Sequence, residues 1–294
     1  MANALKELSN SLREAIRRAA AYTVALDREP YAVGGILIGG DRVLTASHLV
    51  PDEGIDIIMP DGNKKKAALV GRDPIHDIAL LRLDGGTQQA PATAAVEVGD
   101  LVVTVKRDLI DGINASLAMV SASGAKLRLG RSGVLERYLQ VDADRLTGST
   151  GGPVANAEGA LVGIQVFNRR MGAEIVIPAE VAMARAKLLE EKGSVRRPYL
   201  GIRSQAVSLP AEARTALKDR QEKGLLLVSV ESGSSAEKAG LLVGDILVGF
   251  GGAPVTEHEQ LVTVMAEKGA GAAVEAEVIR GGALRSVPVS IGGV

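Results

Sequence analysis

The 294-residue sequence predicts a mainly β fold, an all-β sandwich or barrel followed by a small α+β module. Three observations predict it. Short apolar segments alternate with turn residues from Tyr22 to about Ile177, and the 35 glycines carry no fixed period and so mark many turns. The pattern then changes after residues 191–198, which are charged, contain Gly and Pro, and read as a linker.

The expected strands of the first part are 22–26, 35–38, 43–45, 55–58, 68–70, 78–83, 101–105, 138–141, 161–166 and 175–177. Asp61-Gly62 reads as a hairpin turn. Pro178 opens a helical stretch through Val181 and Leu188 that Gly193 closes, with proline at the first turn and glycine past the last. In the second part, strands are expected at 201–202, 225–230, 246–250, 274–279 and 287–291, with helices near 236–239 and 257–265. Thr256 and Glu259 have the spacing of a capping box for the second helix. Leu5, Leu8, Leu12 and Ile16 recur at helical spacing among charges, which predicts an amphipathic N-terminal helix that packs through this stripe. The expected organisation is a helix at 1–20, a β domain at 21–190, a linker at 191–198 and a module at 199–294.

Composition narrows the function classes. Hydrophobic residues make up 46% and charged residues 23% of the chain, values of an ordinary globular protein. The net charge is −1 and the basic clusters are short, which disfavours a nucleic-acid surface. The absence of cysteine removes disulfides and thiolate chemistry. No cluster of Asp, Glu and His has metal-ligand spacing, so neither a metal nor another cofactor is expected. No apolar run is long enough for a membrane span or a secretory signal. As it stands, the sequence therefore reads as cytoplasmic, or as periplasmic or otherwise extracytoplasmic if a leader has been removed.

Three stretches carry chemistry. Leu44-Thr-Ala-Ser-His48 puts an imidazole just after an apolar strand, and Asp77 stands immediately before the strand at 78–83. The third stretch, Gly148-Ser-Thr150-Gly-Gly-Pro153, sets a hydroxyl in a glycine-rich loop. Acyl transfer to an amide needs a base, an acid that orients it, a hydroxyl nucleophile and backbone donors for the oxyanion, and the stretches supply these in the order His, Asp, hydroxyl.

With this strand spacing and these motifs, the sequence resembles the HtrA/DegP family of trypsin-like proteases from about residue 12 to its end. The resemblance implies a trypsin-like double β-barrel followed by one PDZ domain. It implies His48 as general base, Asp77 as its orienting acid, Thr150 at the nucleophile position, and the amides of Gly148 and Thr150 as the oxyanion hole. Arg145 and Asn168 fall where the family lines its specificity pocket, with Asp144 beside Arg145. Two departures stand out. Thr150 replaces the family's serine, its extra methyl restricting χ1, and Val105-Lys-Arg-Asp108 replaces a Gly-Asn-Pro-Phe-Gly-like turn. His76 reads as a solvated neighbour of Asp77, and Ser149 as pointing away from Thr150.

In the second module, Arg197-Pro-Tyr199-Leu200-Gly201-Ile202 resembles the carboxylate-binding loop of HtrA PDZ domains, with Leu261, Val264 and Met265 lining the groove. The implied mode is addition of a peptide C-terminus as an extra strand. Two functions stay open at this point. One is an ATP-independent serine-type endopeptidase of protein quality control, weakened or silenced by Thr150, acting on unfolded or misfolded proteins and forming a homotrimer. The other is a proteolytically inactive protein that binds peptide C-termini.

Overall fold

Alternating apolar segments too short to bury themselves pair edge to edge, and in this chain the pairing closes on itself twice. A computed structural model describes residues 2–28, 32–86, 89–124, 127–128, 134–135, 137–143, 149–168, 173–196, 198–217 and 221–293. Two units emerge, Met1–Gly130 with Leu135–Val195, and Arg131–Val134 with Arg196–Val294.

The first unit begins with helix α1 (Ala2–Ala20). Strands β1 (Thr23–Leu26), β2 (Val33–Leu37), β3 (Arg42–Ala46), β4 (Ile55–Ile58), β5 (Lys64–Asp73) and β6 (Ile78–Leu83) then close an antiparallel barrel in the order β1-β2-β3-β6-β5-β4. The β4–β5 turn is the one expected at Asp61-Gly62: Gly62 adopts φ +84°, and the Met59 amide donates to the Asn63 carbonyl at 2.8 Å.

Strands β7 (Leu101–Arg107) and β8 (Ile113–Gly124) start the second barrel. The two-residue strands β9 (Leu127–Arg128) and β10 (Val134–Leu135) follow in sequence. With β11 (Tyr138–Val141), β12 (Pro153–Asn156), β13 (Leu161–Asn168) and β14 (Ala173–Pro178) it closes as β11-β14-β13-β12-β7-β8. Each of Leu44, Leu80, Leu81 and Ile164 is at most 1% exposed, and burial of such a side chain stabilises by roughly 1.5–3 kcal/mol. The chain is mainly β, a trypsin-like double barrel in its first unit.

Two helices brace the barrels. On α1, Ala15 and Ala19 are buried and Leu12 and Ile16 pack against the core, but Leu5 and Leu8 are exposed. The apolar stripe read from the sequence is therefore only half used: its second half packs against the core and its first half is exposed. Helix α2 (Ala179–Lys192) is opened by Pro178 as its N-cap residue and ended by Gly193 at φ +71°. Arg107, in the unusual segment after Val105, donates to the carbonyls of Ala20 and Thr23, tying the end of α1 and the start of β1 to the second barrel.

The second unit contains β15 (Pro198–Tyr199), β16 (Ile202–Ser208), α3 (Ala211–Ala216), β17 (Lys223–Val230), α4 (Ser235–Ala239), β18 (Ile246–Phe250), β19 (Ala253–Pro254), α5 (His258–Lys268), β20 (Ala273–Arg280), β21 (Ala283–Ser290) and β22 (Gly292–Gly293). Its main sheet runs β16-β17-β18-β20-β21 around Leu225, Leu227, Phe250, Leu261 and Val278. The cap of α5 differs from the expected Thr256 and Glu259 pairing. Glu257 is the N-cap and Gln260 its reciprocal partner, one residue further on, because the Gln260 side chain accepts from the amides of both Thr256 and Glu257.

A buried ion pair locks this unit. Asp245, 1% exposed, receives both Nε and an Nη of Arg280 at 2.7 Å and the Leu242 amide at 2.8 Å. Burial alone would raise the Asp245 carboxyl, but the Arg280 hydrogen bonds and charge outweigh it and hold the group below its ordinary value. Arg280→Ala leaves that carboxylate without its counter-ion and is expected to destabilise this unit by roughly 3 kcal/mol, read as a lowered urea midpoint for the full chain.

Candidate active site

The His48 imidazole is held by backbone that the sequence shapes closely. Strand β3 ends at Ala46 and turns through a short 3-10 segment, Ser47–Leu49, that carries His48 out of the barrel. Asp77 sits just before β6, next to β3 in the sheet, so the strand pairing brings imidazole and carboxylate together. His48 Nδ1 lies 2.7 Å from Asp77 Oδ2, and the His48 amide donates to Asp77 Oδ1 at 2.9 Å. These two bonds set the ring orientation and leave Nε2 as the nitrogen available to a hydroxyl. The His48 side chain is 29% exposed, open enough to meet a substrate.

Asp77 has φ +54°, the one described non-glycine residue in the left-handed region, a conformation that Asp tolerates better than most residues. A second, hidden pair supports it. Asp73 Oδ2 contacts His76 Nδ1 at 2.8 Å, while Asp73 Oδ1 accepts the amides of Ile75 and His76 at 2.9 and 3.2 Å. His76 is 3% exposed and not solvated as the sequence suggested: its side chain turns inward to Asp73, and among the described residues its Nε2 has no partner. On the other flank, the Arg72 guanidinium donates to the carbonyls of Ser47, Val50 and Pro51, holding the segment that carries His48.

The nucleophile position is fixed by a crossing of glycines. The Gly34 amide donates to the Thr150 carbonyl at 3.1 Å, and the Thr45 hydroxyl donates to the Gly34 carbonyl at 2.7 Å. A Cβ on Gly34 would stand 2.4 Å from the backbone nitrogen of Gly152, so no side chain fits there. The Thr150 hydroxyl, however, donates to Glu174 Oε1 at 2.9 Å, and among the described residues no hydrogen bond joins it to His48. Ser149 is buried and its hydroxyl also turns to Glu174, at 3.4 Å, so both hydroxyls share one acceptor, contrary to the sequence reading. Gln165 Nε2 completes the set. Gly148, Asp144 and Arg145 lie outside the described residues. Asn168 ends β13, with its side chain outside them.

The second unit carries its own cavity of about 550 Å³, lined by Tyr199, Leu200, Gly201, Ile202, Ser204, His258, Leu261 and Met265. Val264, expected to join them, is buried in the core instead. Strand β16 lies at a sheet edge, the arrangement that accepts an added strand. Gly201 adopts φ +78°, and a Cβ there would meet the Ser234 side chain at 2.2 Å, so the loop needs glycine. The Tyr199 hydroxyl donates to Glu231, which raises the phenol above its ordinary value, and Ser204 Oγ lies 3.2 Å from His258 Nδ1. Among the described residues, no group of His, Asp and Glu could hold a metal ion, and no helix is long and apolar enough to cross a membrane.

Two closed barrels with a His–Asp pair at the end of the first, followed by a sheet with a free edge strand beside a helix, define a trypsin-like peptidase domain followed by a PDZ domain. The corresponding family profiles match residues 34–164 (trypsin-like peptidase domain) and 198–291 (PDZ domain). Relatives named probable periplasmic serine endoprotease DegP-like include one from Rhizobium meliloti (strain 1021), 34% identical over 275 residues, covering 90% of this chain and 54% of the relative. One from Pseudomonas putida (strain W619) is 32% identical over 276 residues, covering 90% and 57%. The chain thus spans about half the length of the curated relatives it matches. Among solved structures, the serine endoprotease from Yersinia pestis superposes with TM-score 0.73 at 25% identity over 96% of this chain and 98% of that one. The HtrA-type protease AlgW with decapeptide gives 0.70 at 22% over the same shares, a likeness of fold. The chain is thus HtrA/DegP-like in its build, a trypsin-like peptidase domain followed by one PDZ domain.

Sequence reasoning missed Glu174, Gln165 and the Asp73–His76 pair. A signal for the first existed: Glu174 is the one charge in the strand Ala173–Pro178.

The Asp73 carboxyl gives a pH prediction. Burial pushes it up, but the His76 bonds and charge, with Arg185 nearby, outweigh that and hold it below its ordinary 3.8. A lowered folded value contributes stability that is present above the ordinary value and lost as pH falls through the folded one. Asp73→Asn is expected to be about 1–3 kcal/mol less stable at pH 7, with the difference shrinking toward pH 3 in urea titrations.

Proposed function

We propose that this chain is an HtrA-type endopeptidase with Thr150 in the nucleophile position, acting on unfolded or misfolded proteins. The observation that carries the reading is the His48–Asp77 contact at 2.7 Å, with the imidazole partly exposed. In the reaction, Thr150 Oγ1 attacks the peptide carbonyl carbon as its proton passes to His48 Nε2. The C–N bond then breaks, the leaving amine takes that proton, and water releases the acyl group by the same route in reverse. The amides of Gly148 and Thr150 are the proposed oxyanion donors, and Arg145 and Asn168 the proposed pocket residues. The PDZ groove, through Tyr199, Leu200, Gly201, Ile202, Leu261 and Met265, takes peptide C-termini. The relatives, named as periplasmic endoproteases, favour an extracytoplasmic compartment over the cytoplasmic one read from the sequence. A homotrimer is the proposed assembly.

A second reading, a proteolytically silent peptide-binding protein, is favoured by one observation: the Thr150 hydroxyl is engaged by Glu174. A fluorophosphonate probe separates the two. Labelling at Thr150 together with casein cleavage that His48→Ala lowers roughly 10²–10⁴-fold supports the protease. Thr150→Ser is expected to raise cleavage about 10²-fold by relieving a misplaced nucleophile. Silence of both the unaltered chain and the serine variant would overturn the protease reading. For the PDZ groove, free C-terminal peptides are expected to bind at micromolar Kd, and their C-terminal amides at least ten-fold more weakly in calorimetry; equal binding would remove carboxylate capture.

A further inference from the structure

Strand β5 has one edge that its neighbour leaves open. Strand β4 pairs with β5 only as far as Ala67, whereas β6 follows it on the other side to Asp73. Backbone donors and acceptors on such an edge need partners from elsewhere. At Arg72 they come from the end of the first unit. The Arg72 amide donates to the Ser194 hydroxyl at 3.2 Å, and the Arg72 carbonyl accepts from the Val195 amide at 2.8 Å. A Cβ on Gly71 would stand 2.7 Å from the carbonyl carbon of Gly193, so glycine at 71 is what lets the two backbones meet. Val195 also packs against the core. The stretch that reads in the sequence as a linker therefore starts as a strap along β5.

The residue that the strap grips is the one whose side chain holds His48. The Arg72 guanidinium donates to the carbonyls of Ser47, Val50 and Pro51 at 2.7, 2.8 and 3.1 Å and to Asp52 Oδ1 at 2.9 Å, acceptors that bracket His48 on both sides. A guanidinium presents its donors in a rigid fork, so where the Arg72 backbone stands decides where those carbonyls stand. We propose that Ser194 and Val195 are positioning residues for His48, acting through Arg72. The inference rests on the peptidase reading above and adds to it a support 122 positions from Arg72 in the chain. A misplacement of about 1 Å at a reacting group costs about 10²-fold in rate, and a smaller displacement of the imidazole costs several-fold. Because the effect runs through one side chain, it separates from any general loss of stability.

The test uses the full chain in a Thr150→Ser background. Ser194→Ala is expected to lower kcat roughly three-fold or more with KM unchanged, and to shift the downfield Nδ1 proton resonance of His48, assigned by its loss in His48→Ala. Ser194→Thr, which keeps the hydroxyl, is expected to match the parent in both. Arg72→Met is expected to lower kcat about ten-fold or more, and Ser194→Ala added to it to cause no further loss, since the strap then has no side chain to act through. Arg72→Lys, which cannot present the same fork, serves in that cycle if the Met variant does not fold. An unchanged kcat and an unchanged resonance in Ser194→Ala overturn the proposal. So does a loss that multiplies in full with that of the Arg72 variant, which would make the strap a support of the barrel alone. A resonance that shifts in Ser194→Ala and returns in Ser194→Thr, in a chain that never cleaves, supports the strap and overturns the peptidase reading.

Discussion

The approach of two backbone segments at Gly34 and Gly152 is the constraint on which the geometry of the candidate site depends. Barrel closure by itself leaves the loop after Ser149 free to stand in many places relative to β2. The Gly34 amide bonded to the Thr150 carbonyl, and the Thr45 hydroxyl bonded to the Gly34 carbonyl, remove that freedom. The first of these requires the two backbones to touch with no Cβ between them. The alcohol of Thr150 thereby takes its position from the first barrel, which also carries His48 and Asp77.

Around this crossing the chain separates orientation from chemistry. His48 and Asp77 make the contact proposed to react, while Arg72 and Asp73, adjacent at the end of β5, hold the two loops that carry them. Polar groups tied into backbone in this way are costly to disturb, since each lost bond leaves a buried donor or acceptor unpaired. The second unit uses the same device in Asp245, which gathers a guanidinium and an amide. In each case an acid with little exposure organises a turn.

Much of this was legible in the sequence, for identifiable reasons. Period-2 alternation and turn residues showed most barrel strands, and short motifs showed His48 and Asp77, because those features depend on neighbours in the chain. Strand β8 was missed although it is twelve residues long: its Asn, Ala and Ser residues blur the alternation, and Leu117 and Met119 face outward while Ala118 and Val120 face inward. His76 was misread because its inward turn depends on Asp73, a cap that spacing alone does not reveal. Glu174 was overlooked because its importance comes from β13 and β14 delivering it to a loop some 25 residues earlier. The α5 cap slipped by one residue because Thr256 and Glu257 compete for the same Gln260 side chain.

The left-handed backbone at Asp77 narrows what can occupy that position for two independent reasons. Most side chains pay about 1 kcal/mol or more for such dihedrals, whereas Asp, Asn and Gly adopt them readily. Only the first supplies a carboxylate to the imidazole. Alanine scanning would therefore mix conformational strain with lost electrostatics at this residue, and asparagine is the substitution that isolates the charge. Over evolutionary time, a lineage abandoning catalysis could drift here to asparagine or glycine without disturbing the barrel.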